Sequence, residues 1–226
     1  MATAFHIATL DFSVFPHHTF HLGFFKVSSL IFCVISIISC LAILRRLPIE
    51  SHLLLLIPGA VISLMLGEWA PNTNHQIITG EGLISHVVLS ILAYSILTLA
   101  ALQALFLAAQ ESVLHNHSRG RFLEFLPPLQ TMEKLMFELI GLGFVLLTLS
   151  IASGFYFLEN MFAQHLAHKT ILSIVAWFIF GTLLTGRAFY GWRGITATKW
   201  TISGFLALML AYFGTKFVLE IVLHRM

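Results

Sequence analysis

Histidine is the residue type here whose placement points to chemistry. The chain holds 12 histidines, against 12 Lys and Arg and 10 Asp and Glu in 226 residues. His86 stands in GEGLISHVVLSILAYS, with Ser90 and Tyr94 following at i+4 and i+8 on one helix face. His165 and His168 stand in MFAQHLAHKTILSIVAW, and His224 in EIVLHRM. Neutral imidazole is the commonest metal ligand and an ordinary axial ligand of haem iron. No HxxxH or HExxH joins these residues, so spacing alone favours the plainer reading of histidines resting in the polar headgroup zone. Lys216 and Glu220 lie one turn apart in an apolar stretch. A Lys so placed either snorkels to the interface or meets an anionic group such as a carboxylate. No GxxxxGK[ST], GxGxxG or nucleophile–base arrangement occurs, which removes phosphoryl and hydrolytic chemistry. The reading is therefore of a protein that is not an enzyme.

The elements that position these residues are membrane spans. The chain is 58% hydrophobic and 10% charged, where a soluble domain carries about 25% charged residues. The apolar residues come in blocks long enough to cross a hydrocarbon layer of about 30 Å, where only a helix satisfies its own backbone. This predicts an all-α, polytopic transmembrane helix bundle of about six spans: Leu22–Leu44, Leu53–Trp69, Leu83–Ala109, Leu135–Leu158, Thr170–Tyr190 and Trp200–Leu223. Residues 1–21 read as an outer N-terminal segment and 22–226 as the transmembrane domain. Arg45 and Arg46, then Arg119, Arg121 and Lys134, then Arg187, Arg193 and Lys199 fall in alternate connections. Basic loops stay cytoplasmic, which puts both termini outside and gathers His86, His165, His168 and His224 at the outer face. A net charge of +2 without a basic stripe excludes nucleic acid as a partner; the membrane lipid is the expected surrounding.

Packing signals accompany the spans. Ser150 and Gly154 form a small-xxx-small pair that lets helices approach closely. Gln103 reads as an interhelical hydrogen-bonding residue, Glu138 as interfacial, and Trp177 as a packing residue deep in the fifth span. Trp69, Trp192 and Trp200 fall at predicted interfaces. Cys33 and Cys40 are seven residues apart on one helix, about 10 Å along its axis, too far for a disulfide.

Four stretches in order carry a family resemblance: LISHVVLSILAYSILTLAALQALFLAAQ, LPPLQTMEKLMFELIGLGFVLLTLSIASGFYF, HKTILSIVAWFIFGTLLTGRAFYGWRG and ISGFLALMLAYFGTKFVLE. Together they resemble the cytochrome c assembly protein family of CcsA-like membrane proteins, in particular its YpjD-like or HemX-like branch. The resemblance implies haem handling at the outer membrane face. His86 matches the family's first outer histidine and His224 falls near the second, one residue out of register. Arg187 and Gly191-Trp192-Arg193-Gly194 match the inner loop. Where the family carries a tryptophan-rich segment this chain has FLENMFAQHLAHKT, and Thr185 stands where the family has a membrane-embedded histidine. Relatives typically have about two further spans upstream, so the loop-like start MATAFHIATLDF predicts an N-terminally truncated gene model or late start codon.

The function expected from this is a haem-binding or haem-associated accessory protein of the bacterial inner membrane. It would bind heme non-covalently through His86, opposite His224 or His168, with Lys216 near a propionate, and would work beside other membrane or cytochrome assembly proteins. Two readings from other classes stand beside it. One is a transport- or channel-associated subunit with Lys216 and Glu220 lining a path. The other is a non-haem regulator of haem biosynthesis.

Overall fold

A computed structural model describes residues 24–47, 49–69, 81–115, 127–157 and 164–214. The described residues form helices without strands: α1 Phe24–Leu44, α2 Leu53–Trp69, α3 Glu81–His115, α4 Leu129–Phe157, α5 Gln164–Tyr190 and α6 Gly194–Met209. A 3-10 turn, Glu50–His52, leads into α2. Five of the helices are long and apolar enough to cross a membrane, and α2 contributes a shorter apolar stretch, Leu53–Leu66. The polytopic helical bundle expected from the apolar blocks is the fold observed.

The helices overrun the apolar blocks. α3 continues to His115, α4 begins at Leu129 rather than Leu135, α5 at Gln164 rather than Thr170, and α6 at Gly194 rather than Trp200. Each extension is amphipathic or polar, so hydropathy stops at the hydrocarbon boundary while the helix does not. The connection between α3 and α4 is correspondingly shorter than the polar stretch Gln110–Lys134 suggested.

Helices α3, α4, α5 and α6 form a closed ring in which each packs on two neighbours: α3 on α4, α4 on α5, α5 on α6, and α6 back on α3. The ring encloses a core of Leu97, Ala104, Leu107, Met136, Ile140, Phe180 and Leu183. The α1–α2 hairpin attaches through α1, whose stripe Val27, Ile31 and Ile35 meets Leu99 on α3. Other large apolar side chains face outward, among them Leu54, Ile57 and Met65 on α2, and Leu142, Val145 and Leu149 on α4. In a lipid solvent this is the expected arrangement, since hydrocarbon solvates Leu as well as another helix does. What joins the helices is therefore close packing and interior polar contact. Gln103, fully buried on α3, donates to Met132 O on α4 at 3.1 Å, the interhelical role expected of it. Trp177 donates to Thr148 Oγ1 at 2.8 Å and stacks on Phe144. Cys33 is a free, buried thiol.

Helix α6 ends in a five-residue π turn, Leu210–Gly214, and the cause is a side chain. In a regular α-helix the Tyr212 N–H would donate to Leu208 O. Tyr94 of α3 instead donates its hydroxyl to Leu208 O and hydrogen-bonds the Tyr212 backbone. Insertion of a side chain into the i→i−4 ladder widens the turn.

Candidate functional site

Polar residues gather at both ends of the four-helix ring. At the first end His86 lies near the start of α3, half-buried against α4. Its Nδ1 is 2.9 Å from Ser150 O and 3.2 Å from Ser153 Oγ. A carbonyl only accepts, so Nδ1 carries the proton and Nε2 holds the lone pair. Ser90, one turn along α3, donates to His86 O at 2.7 Å and lies 2.7 Å from Ser150 Oγ. Ser153 donates to Ser150 O at 2.8 Å. The helices approach closely enough for this because Ser150 and Gly154 are small and buried at the contact, as their spacing indicated. Ser153 is the member the sequence reading missed. Its signal was available: Ser150 and Ser153 are one helical turn apart and face a helix with His86 and Ser90 at i and i+4.

His168 lies in α5 and is exposed. It makes no hydrogen bond or ring contact with His86, whose polar partners all belong to α3 and α4. Next to it Lys169 holds its Nζ over the Tyr212 ring at 5.8 Å, tying α5 to the π turn. Lys216, Glu220 and His224 lie outside the described residues, as does the side chain of His165. Among the described residues no group of three or more His, Cys, Asp or Glu is arranged to hold a metal ion.

At the opposite end the chemistry is ionic. Glu133, at the start of α4, is 3% exposed. Its Oε1 accepts from Arg187 at 2.8 Å and from Arg193 Nε at 3.0 Å, and its Oε2 accepts from Arg193 Nε and Nη2, each at 3.3 Å. Arg187 also donates to Trp192 O at 3.2 Å and lies over the Phe137 ring at 4.6 Å. Backbone geometry makes the turn possible. Gly191, at φ 66, ends α5 in the left-handed region, and Trp192 N–H bonds back to Gly186 O at 3.2 Å. The absence of a side chain at Gly186 lets Trp192 fold against α5, since a Cβ there would stand 2.4 Å from Trp192 Cε3. Trp192 in turn packs on Trp200 at 5.3 Å. Glu111 of α3 lies beside the first turn of α6, where a Cβ on Gly194 would be 3.1 Å from Oε1. A carboxylate there complements the positive end of the helix. The sequence reading placed Arg187 and Arg193 in this connection but did not single out Glu133. Glu138 is paired with Lys134 at 3.8 Å and exposed. Thr185 spends its hydroxyl on Gly181 O of its own helix at 2.8 Å and is exposed.

The family model described as cytochrome C assembly protein matches residues 1–223. The inner membrane protein YpjD of Escherichia coli is 38% identical over 165 residues, which are 72% of this chain and 62% of YpjD. An uncharacterized 28.8 kDa protein of Azospirillum brasilense is 33% identical over 140 residues, covering 61% of this chain and 52% of that protein. The cytochrome c biogenesis protein CcsA of Gloeobacter violaceus is 30% identical over 93 residues, 40% of this chain and 28% of CcsA. The chain thus spans under two thirds of the length of these curated relatives. No solved structure matches it. With a family model across nearly its whole length and ordered motifs that fold into one ring of helices, this chain belongs to the cytochrome c assembly protein family.

Proposed function

We propose that this protein is a haem-binding accessory of cytochrome c assembly in the bacterial inner membrane, with no catalytic turnover of its own. His86 supplies one axial ligand through Nε2, and the histidine end of the bundle faces outside. The observation that carries the reading is the hydrogen bonding of the His86 ring. A ligating histidine characteristically donates its other ring N–H to a carbonyl or carboxylate, which sets the tautomer and raises the basicity of the ligating nitrogen. His86 has that arrangement, with Nδ1 bound to Ser150 O at 2.9 Å. The second ligand comes from His224 or His168, and Lys216 meets a propionate. Family membership supports the same class of work, since relatives named cytochrome c biogenesis protein are similar to it over 61% and 60% of the chain. The inner-membrane location accords with the relative named for it and with five helices able to span. Haem bound here would offer its iron for axial coordination, and the residues present would hold and orient it. With no tryptophan in residues 157–170, contact is reduced and binding is weaker than in relatives that carry the aromatic segment.

The test is a haem titration of the whole protein in detergent, followed by its visible spectrum. The wild type should give a six-coordinate spectrum. His86→Ala should lose it, and one of His168→Ala and His224→Ala should lose it too. Uptake no greater than that of an unrelated membrane protein would end this reading.

A further inference from the structure

We propose that Ser90 and Ser153, acting with Ser150, are positioning residues that hold the His86 imidazole in its Nδ1–H tautomer and so keep the lone pair on Nε2. The use of that lone pair as an iron ligand rests on the haem reading above, while the tautomer does not.

The argument is a count of protons. Ser153 has one hydroxyl proton and donates it to Ser150 O at 2.8 Å. It therefore meets Nδ1, 3.2 Å away, with a lone pair. Ser90 donates its proton to His86 O at 2.7 Å. The 2.7 Å contact between Ser90 Oγ and Ser150 Oγ must then use the Ser150 proton. Ser150 O, 2.9 Å from Nδ1, has none to give. Every hydroxyl in the group has committed its proton elsewhere, so Nδ1 faces acceptors alone and is the protonated nitrogen.

This arrangement opposes the ring's own tendency. A free neutral imidazole side chain favours the proton on Nε2, which would block the nitrogen offered to a ligand. The serines act in two ways. Ser153 supplies the second acceptor at Nδ1. Ser90 and Ser150 bond α3 to α4 one turn below the ring and hold Ser150 O in line with it. An oxygen out of line would weaken the bond steeply.

The experiment uses the whole protein labelled with 15N-histidine, in detergent, above the histidine titration range. The wild-type His86 signals should show Nδ1 protonated and Nε2 bare. Ser90→Ala/Ser153→Ala should move the ring toward the Nε2–H form, and haem affinity should fall about tenfold, the lower end of what loss of an outer hydrogen bond does to a ligating histidine. Ser90→Thr/Ser153→Thr keeps both hydroxyls and should restore the wild-type tautomer and affinity. Should the double alanine variant fail to fold, Ser153→Ala alone and the wild-type tautomer decide. An Nε2–H ring in the wild type overturns the proposal, as does an alanine variant with wild-type tautomer and affinity. A tautomer that moves as expected in a protein that takes up no haem supports the positioning role and removes the haem reading.

Discussion

The two ends of the four-helix ring join their helices by different chemistry. At the histidine end, α3 meets α4 through neutral groups: one imidazole, three hydroxyls and backbone carbonyls. At the arginine end, one buried carboxylate gathers α4, α5 and the turn into α6 through two guanidinium groups. The first arrangement leaves a ring nitrogen available and costs little to rearrange. The second commits both oxygens of a buried carboxylate to two guanidinium groups. Neutral polar contacts within membranes average about 0.6 kcal/mol, whereas a hydrogen bond to a charged group is worth about 1.5–3 kcal/mol. The arginine end is thus the anchor of the bundle, and the histidine end is where the proposed haem would be accommodated.

The comparison breaks if the ionic end proves dispensable. Glu133→Ala is expected to lower stability by about 1.5–3 kcal/mol, because it removes the carboxylate on which Arg187 and Arg193 both converge. Thermal unfolding in detergent measures it, and a melting curve like the wild type's would remove the anchor. Between the two ends, Tyr94→Phe should cost about 1 kcal/mol, the worth of a typical hydrogen bond. The direct bond from Tyr212 N–H to Leu208 O should form in its place and close the π turn, a change visible as altered amide exchange at Tyr212.

At the histidine end Ser150→Ala should cost only about 0.6 kcal/mol, measured in the same melts. A loss as large as that of Glu133→Ala would mean that the two ends do not differ. The smallest effect concerns His52, in the turn before α2. Its ring is buried edge-on to Phe106, with Nδ1 donating to Ile49 O at 3.0 Å. Burial holds it below its ordinary value of 6.5, outweighing the opposing effect of that hydrogen bond. The folded state then binds fewer protons than the unfolded one, so stability is complete above the histidine range and declines as pH falls through about 6.5. Melting temperatures of the wild type should drop on acidification through that range, and those of His52→Phe should drop less.

Much of this molecule was legible from residue order. The apolar blocks marked the helices because hydrocarbon demands a run of apolar residues and a self-satisfied backbone. Gln103 could be read as an interhelical bonding residue because an amide in an apolar helix has no other use. The boundaries were less legible. The first turns of α4 and α6 look polar, and hydropathy reports where lipid ends rather than where the helix ends. Glu133 was hidden for a similar reason: beside Lys134 in a polar stretch it resembles an interfacial charge, and only the return of Arg187 and Arg193 across α5 reveals what it binds.

Sequence alone determined that the chain is a helical membrane protein and that His86 shares a face with Ser90, since both follow from periodicity within a single element. Tertiary structure decided which nitrogen of His86 is bare, which carboxylate holds the two arginines, and where α6 opens into a π turn. Each of these depends on partners at least 50 residues away. Composition cannot encode them, because a hydrogen bond is settled by the position and proton of its partner, and both are delivered only when the helices pack.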